Sequence, residues 1–255
     1  TRLADILQPA ESVLDMTTLD KLENFFDDNS LSAVPVVDEK NRILGVVRRR
    51  AVYDAVAERA DADHLKTQGI VGGEELRSMP TVIRSRRRLS WLSVNVLLNI
   101  IAASVIAQFQ DTLSAVIILA VFLPIISDMS GCSGNQAVAV SMRELSLGII
   151  KRGDLFYVWR KEIVIGIING AALGLLIAVI AWVWQGNGWL GLVVGFALAF
   201  NTALAVSIGG TVPVILKSLK VDPAVASGPI LTTITDMCGF FLLLGTASLM
   251  LPLLT

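Results

Sequence analysis

The chain has 255 residues, 54% of them hydrophobic, with 21 Lys and Arg against 22 Asp and Glu for a net charge of −1. That hydrophobic fraction, with a mean hydropathy of +0.67, exceeds what a water-soluble domain carries, and the near-cancelling charge leaves no broad surface for nucleic acid. The two cysteines, Cys132 and Cys238, both lie in apolar sequence, give no disulfide framework and read as small apolar filler.

Most of the charge falls before residue 89, and the remainder of the chain is apolar with brief polar interruptions. The chain starts at Thr1 in polar sequence without an initiator Met or signal peptide, which reads as a fragment lacking something upstream. The pattern predicts a small α/β cytosolic module over residues 1–60, a linking helix and connector over 61–84, and an all-α polytopic membrane domain of five transmembrane helices over 85–255. In the module, Thr17 is the expected N-cap of a helix reaching about Asn29, with Leu19, Leu22, Phe25 and Phe26 on one face. Strands are expected at 33–37 and 44–47 around a Glu39-Lys40-Asn41 turn, then a second helix at 49–59.

The five spans are predicted at residues 89–109, 113–142, 159–183, 189–216 and 224–253. At 1.5 Å per residue each can cross a hydrocarbon core about 30 Å thick. Cations sit at 84–88, along the connection from Met142 to Lys161 that enters the third span (Arg143, Lys151, Arg152, Arg160, Lys161), and at Lys217 and Lys220. The alternate connections carry none. The positive-inside bias therefore places the N-terminal module and the basic loops in the cytoplasm and the C-terminus outside, with Trp182, Trp184 and Trp189 as interfacial aromatics.

Asp236 lies near the middle of the last apolar stretch, where a carboxylate costs about 2.5 to 3.5 kcal/mol on insertion scales and usually faces a cavity, an ion path or a polar partner. Thr232, four residues earlier, shares its helical face, and Gly239 permits close approach. The second span is interrupted by a polar, glycine-rich run over 124–136 that holds Asp128, Gly131 and Asn135. Such a run lines a cavity or a helix contact, and Pro124 frees a carbonyl that a ligand could use. Oxygen ligands without a His or Cys cluster point to a hard cation. Mg2+ fits best, since it keeps its own waters and asks for one or two carboxylates; Mn2+, Co2+ and Ca2+ stay open. A two-fold dimer would set two copies of Asp236 on the axis, and a divalent cation would relieve their repulsion. His64, after Asp61-Ala62-Asp63, reads as an exposed bystander.

Several motifs carry a resemblance: Gly134-Asn135-Gln136 closing the Pro-then-Gly-rich run, Asp222-Pro223-Ala224, and the Thr-rich stretch from Thr232 through Asp236 to Gly239-Phe240. With residues 88–91, Asn201 and residues 210–213, these make the membrane part similar to the MgtE family of magnesium channels. Val34-Pro35-Val36-Val37-Asp38, followed by Gly45-Val46-Val47, Val52 and Asp54, resembles the second half of a CBS pair. The resemblance implies a homodimer in a bacterial plasma (inner) membrane, with one central pore among the lipids. In it Asp236 of each subunit holds hydrated Mg2+ beside Asn135, Thr232 and carbonyls near Gly131, and the CBS part could take an adenine nucleotide. It further implies cytosolic Mg2+ sensing by acids at Asp20, Asp54 and Asp63, with Asp222 at the membrane face and Asp27 nearby.

Departures from the family pattern are Asp128 and Ser130 at usual Gly positions and Cys132 at a usual Asn. Asp128 could hold a second ion or a proton, while Arg48-Arg49-Arg50 and Arg59 would compete with Mg2+ at the sensing acids. The leading expectation is a Mg2+ channel or uniporter driven by membrane potential. Alternatives are a Na+- or proton-coupled divalent cation exchanger, and a nucleotide-sensing receptor that transports nothing. An intramembrane aspartyl protease is remote, because neither Asp128 nor Asp236 lies in a Gly-x-Gly-Asp context.

Overall fold

A computed structural model describes residues 11–70 and 76–254, which fall into two compact units, Thr1–His64 and Leu65–Thr255. In the first unit β1 (Val13–Leu14) pairs in parallel with β2 (Ala33–Val37), which pairs antiparallel with β3 (Ile43–Arg48), giving the order β1-β2-β3. Val13 and Val34 are buried with Phe26 of α1 (Leu19–Asp28) and Val52 of α2 (Arg49–Thr67), a small core of one sheet face against two helices. The β2–β3 turn is built on Asp38. Its Oδ1 accepts the backbone N–H groups of Lys40 at 2.9 Å and Arg42 at 2.8 Å, and Asn41 takes the left-handed φ of 59° that Asn tolerates. The Arg42 N–H above all holds the Asp38 carboxyl below its ordinary value.

Two boundaries differ from the sequence reading. Thr18, not Thr17, is the N-cap of α1. The second helix continues past residue 59 to Thr67, because Ala60-Asp61-Ala62-Asp63-His64-Leu65 offers no Gly or Pro to stop it. It ends at Gly69, φ 78°, where the Gly69 N–H donates to Lys66 O and the Ile70 N–H to Leu65 O.

The second unit is helical: α3 (Thr81–Gln108), α4 (Gln110–Ala115), α5 (Leu119–Ser146), a 3-10 turn (Arg152–Asp154), α6 (Leu155–Gln185), α7 (Gly188–Ser218), α8 (Pro223–Leu249) and α9 (Leu251–Leu254). Among the described residues four helices, α3, α6, α7 and α8, are long and apolar enough to cross a membrane. The expectation of five is thus met by four. α5 is as long as α3, but its Ser-Asp-Ser-Gly-Asn content keeps it from qualifying, and the stretch expected as one span from 113 is broken at Val116 between α4 and α5. The first span starts earlier than expected, at Thr81 after Pro80, so the arginine run lies inside α3 rather than before it.

Backbone proximity organises this unit. Gly166, Gly170 and Gly174 form one stripe of α6 against Ala203, Ala199 and Gly195 of α7, and a Cβ at Gly174 would come within 2.6 Å of the Gly195 carbonyl. In an apolar solvent such close packing substitutes for the missing hydrophobic drive. Gly186, φ 69°, closes α6, and the Asn187 side chain caps α7 by accepting the Trp189 N–H at 2.9 Å. α5 packs on α7 and α8, α3 packs on α8, and Leu119, Phe122, Ile126, Leu198, Leu243 and Leu244 are wholly buried between them.

Candidate functional site

Asp236 is the middle residue of α8. Half-buried, it accepts a hydrogen bond from the Ser127 hydroxyl of α5 at 2.6 Å. Sequence reasoning passed over Ser127, although its place beside Asp128 in the polar run was a signal. The backbone of α8 is fixed at this level by Asn201 of α7, fully buried, whose Nδ2 donates to Thr235 O at 3.1 Å. Gly239 is required by the same contact: a Cβ there would stand 2.6 Å from Asn201 Nδ2 and 3.1 Å from Ile126 of α5. Asn201 Oδ1, Ser130 Oγ and Thr202 Oγ1 are buried side-chain atoms without a hydrogen-bond partner among the described residues.

Three contacts set the register of α5 against α8. Ile126 neighbours the Gly239 position, Ser127 meets Asp236, and Gly134 approaches Leu231, so the helices run antiparallel. From the Asp236 level, Thr232 is one turn along α8, about 6 Å, and Asn135 is two turns along α5, about 12 Å from Ser127. The expected site residues are therefore spread along a line within one chain rather than gathered at a point.

α5 has two faces. Ile126, Ser130, Gly131, Ser133, Gly134 and Ala137 are buried, whereas Asp128, Cys132, Asn135 and Gln136 are exposed on the outward side. Asp128 and Asn135 thus share a polar stripe that no other helix among the described residues covers. Gly131 is buried, although a Cβ there would meet nothing within 4 Å, and α5 is unbroken from Leu119 to Ser146. The carbonyls near Gly131 consequently belong to the helical ladder, and Pro124 frees the carbonyl of Ala120. Thr232, half-buried on the Asp236 face, donates its hydroxyl back to Gly228 O at 3.1 Å and Pro229 O at 3.2 Å, leaving lone pairs as its contribution.

The acids expected to sense Mg2+ have partners of their own. Asp20 accepts from Arg59 at 2.7 Å, Asp27 from the Tyr53 hydroxyl at 2.6 Å, and Asp54 stands 3.7 Å from Arg50. Asp63 is half-buried in α2 and also has a partner. Asp222 caps α8, its Oδ1 accepting the Ala224 N–H at 3.0 Å and its Oδ2 the Lys66 ammonium at 3.1 Å. His64 is exposed and has a partner. Among the described residues no three His, Cys, Asp or Glu side chains come together as a metal cage. The chain offers single carboxylates instead, a donor set suited to a cation that travels with its water.

The sequence is similar to known proteins. Residues 123–246 match the family model of MgtE, divalent cation transporter, and residues 4–58 match the CBS domain. The chain is 35% identical over 217 residues to the magnesium transporter MgtE of Bacillus subtilis, covering 85% of this chain and 48% of that protein. It is 33% identical to the magnesium transporter MgtE of Enterococcus faecalis (98% of this chain, 55% of that protein) and 28% to that of Thermus thermophilus (98% and 56%). The chain spans about half the length of the curated relatives it matches.

Proposed function

The chain carries an MgtE-family divalent cation transporter domain behind a CBS domain, and from that premise we propose that it passes Mg2+ through a path lined by α5 and α8 of two copies in a membrane. The observation that carries this reading is Asp236, the central residue of a bilayer-length helix, held by one hydroxyl. A half-buried carboxylate at that depth is stable when a mobile cation shares the site, and a single carboxylate per subunit suits an ion that keeps its hydration shell. The outward stripe of Asp128, Cys132, Asn135 and Gln136 is too polar for lipid. Two-fold pairing would turn it onto the partner's copy and make α5 the fifth spanning helix, wetted rather than greased.

Ions then step along the line from Asp236 past Thr232 to Asn135, exchanging one water at a time for a protein oxygen. Membrane potential supplies about 2.3 kcal/mol per charge at 100 mV, about twice that for a divalent ion. In the cytosolic part Arg59 on Asp20, and at the membrane domain Lys66 on Asp222, occupy positions that a regulatory Mg2+ would need, so control by cytosolic Mg2+ is weak. The transporter match removes the ground for an intramembrane protease.

Mg2+ uptake into proteoliposomes tests the reading. Asp236→Ala is expected to lower the rate about 100-fold, equivalent to about 2.7 kcal/mol. Uptake at the wild-type rate would remove Asp236 from the path. The exposure of Asp128 beside this line favours one second reading, coupled exchange with Asp128 as the relay: uptake would then stop on collapse of a Na+ or proton gradient and lose that dependence in Asp128→Asn.

A further inference from the structure

The first turns of α3 carry a chemistry that the ion path does not use. Arg77, Arg84, Arg86, Arg87 and Arg88 give residues 76–110 a charge of +5, with no Asp or Glu before Asp111; Glu74 and Glu75 precede them, outside the described residues. As α3 begins at Thr81, four of these arginines project from a regular helix. From Leu89 to the helix end at Gln108 the sequence is free of charge, a length of about 30 Å that matches the hydrocarbon core. The arginines therefore sit at headgroup depth whenever α3 spans a bilayer.

Their arrangement is layered. A recess of about 360 Å³ on one face of α3 is lined by Thr81, Arg84, Ser85, Arg88, Leu89 and Leu92, all at helical three-and-four spacing. Two guanidinium groups and two hydroxyls lie at its polar end, and two leucines lie on the membrane side. A second recess of about 470 Å³ takes Arg86, Arg87 and Ser90 on another face, with the Ser90 hydroxyl turned to Arg87 O at 2.8 Å.

We propose that the Arg84–Arg88 face of α3 binds the headgroup of an anionic phospholipid, the phosphodiester meeting the two guanidinium groups and the first acyl carbons resting on Leu89 and Leu92. The planar fork of arginine matches phosphate oxygens in pairs, and anionic lipids are drawn to basic clusters just outside a spanning helix. A free phosphate would use the polar end of the recess and leave the leucines without a partner. A topological signal needs only a count of positive charges; stacking two arginines and two hydroxyls over two leucines is an arrangement that a lipid reads. The proposal rests on α3 spanning the membrane and is independent of which ion moves along α5 and α8.

Lipid retention by the purified full chain, read by native mass spectrometry from detergent, tests this directly. Equal amounts of phosphatidylglycerol and phosphatidylcholine are offered, and the wild type is expected to retain the anionic lipid about tenfold more. Arg84→Gln with Arg88→Gln should bring the two lipids level, while Arg160→Gln with Lys161→Gln, which removes the same charge from α6, should keep the preference. Retention unchanged in the α3 pair, or lost equally in the α6 pair, would overturn the site. Displacement of the lipid by an equal concentration of inorganic phosphate would assign the recess to a free anion instead. Should the glutamine pair fail to fold, Arg84→Lys with Arg88→Lys keeps the charge without the fork and should lose several-fold of the preference. Full retention there would overturn the paired guanidinium geometry.

Discussion

α6 and α5 both bury a run of small residues, and they differ in what their remaining faces present. On α6 the glycines at 166, 170 and 174 lie under backbone atoms of α7, so the seam is closed within the chain and nothing but carbon and peptide groups meets there. On α5 the inward small residues are equally buried, but the other face presents Asp128, Cys132, Asn135 and Gln136 with no helix over them among the described residues. The contrast teaches that small size alone does not mark an ion path. The discriminating feature is a carboxylate or amide at the same helical spacing, since a polar group facing lipid is costly and one facing water is not.

Replacing a residue on each side should break this symmetry of size. Gly174→Leu forces a branched side chain into the Gly195 carbonyl and is expected to cost at least about 3 kcal/mol, seen as loss of the folded monodisperse species in detergent. Cys132→Leu, which places the same side chain on the outward stripe, should fold and melt like the wild type while losing Mg2+ uptake. If both variants failed to fold, the stripe would be a packing face. A smaller effect sharpens the account of α8. Asp222→Ala removes the N-cap of the helix that bears Asp236 and should destabilise by about 1 kcal/mol. Lys66→Ala removes only a partly exposed ion pair and should stay within about 1 kcal/mol, near zero, in the same thermal melt. Equal losses would mean that the ion pair, not the cap, holds that end.

Much of this molecule was legible in its residues. Periodicity and length found the long helices because a span needs about 20 apolar residues whatever its neighbours. Asp236 and Asp128 were visible because charge is rare in such company. α5 was harder: its polar run lowers its apolarity below that of its neighbours, and only packing on α7 and α8 shows that it is a full helix. Ser127 escaped notice because a lone serine carries no signal until a carboxylate from another helix is placed against it. Likewise Thr232 shares the Asp236 face by spacing, and only the structure shows its hydroxyl donating back to Gly228 O and Pro229 O of its own helix. The pairing of Arg59 with Asp20 joins residues 39 positions apart, and only the fold brings them together.

The account turns on whether the outward stripe of α5 meets water. Cys132 lies within it, exposed, between Asp128 and Asn135, and Cys238 can be silenced as Cys238→Ser. With that variant reconstituted in liposomes, a membrane-impermeant cationic thiol reagent should modify Cys132, and Mg2+ should slow the reaction. Modification by a lipid-soluble maleimide alone, unchanged by Mg2+, would place the stripe against lipid and contradict the path.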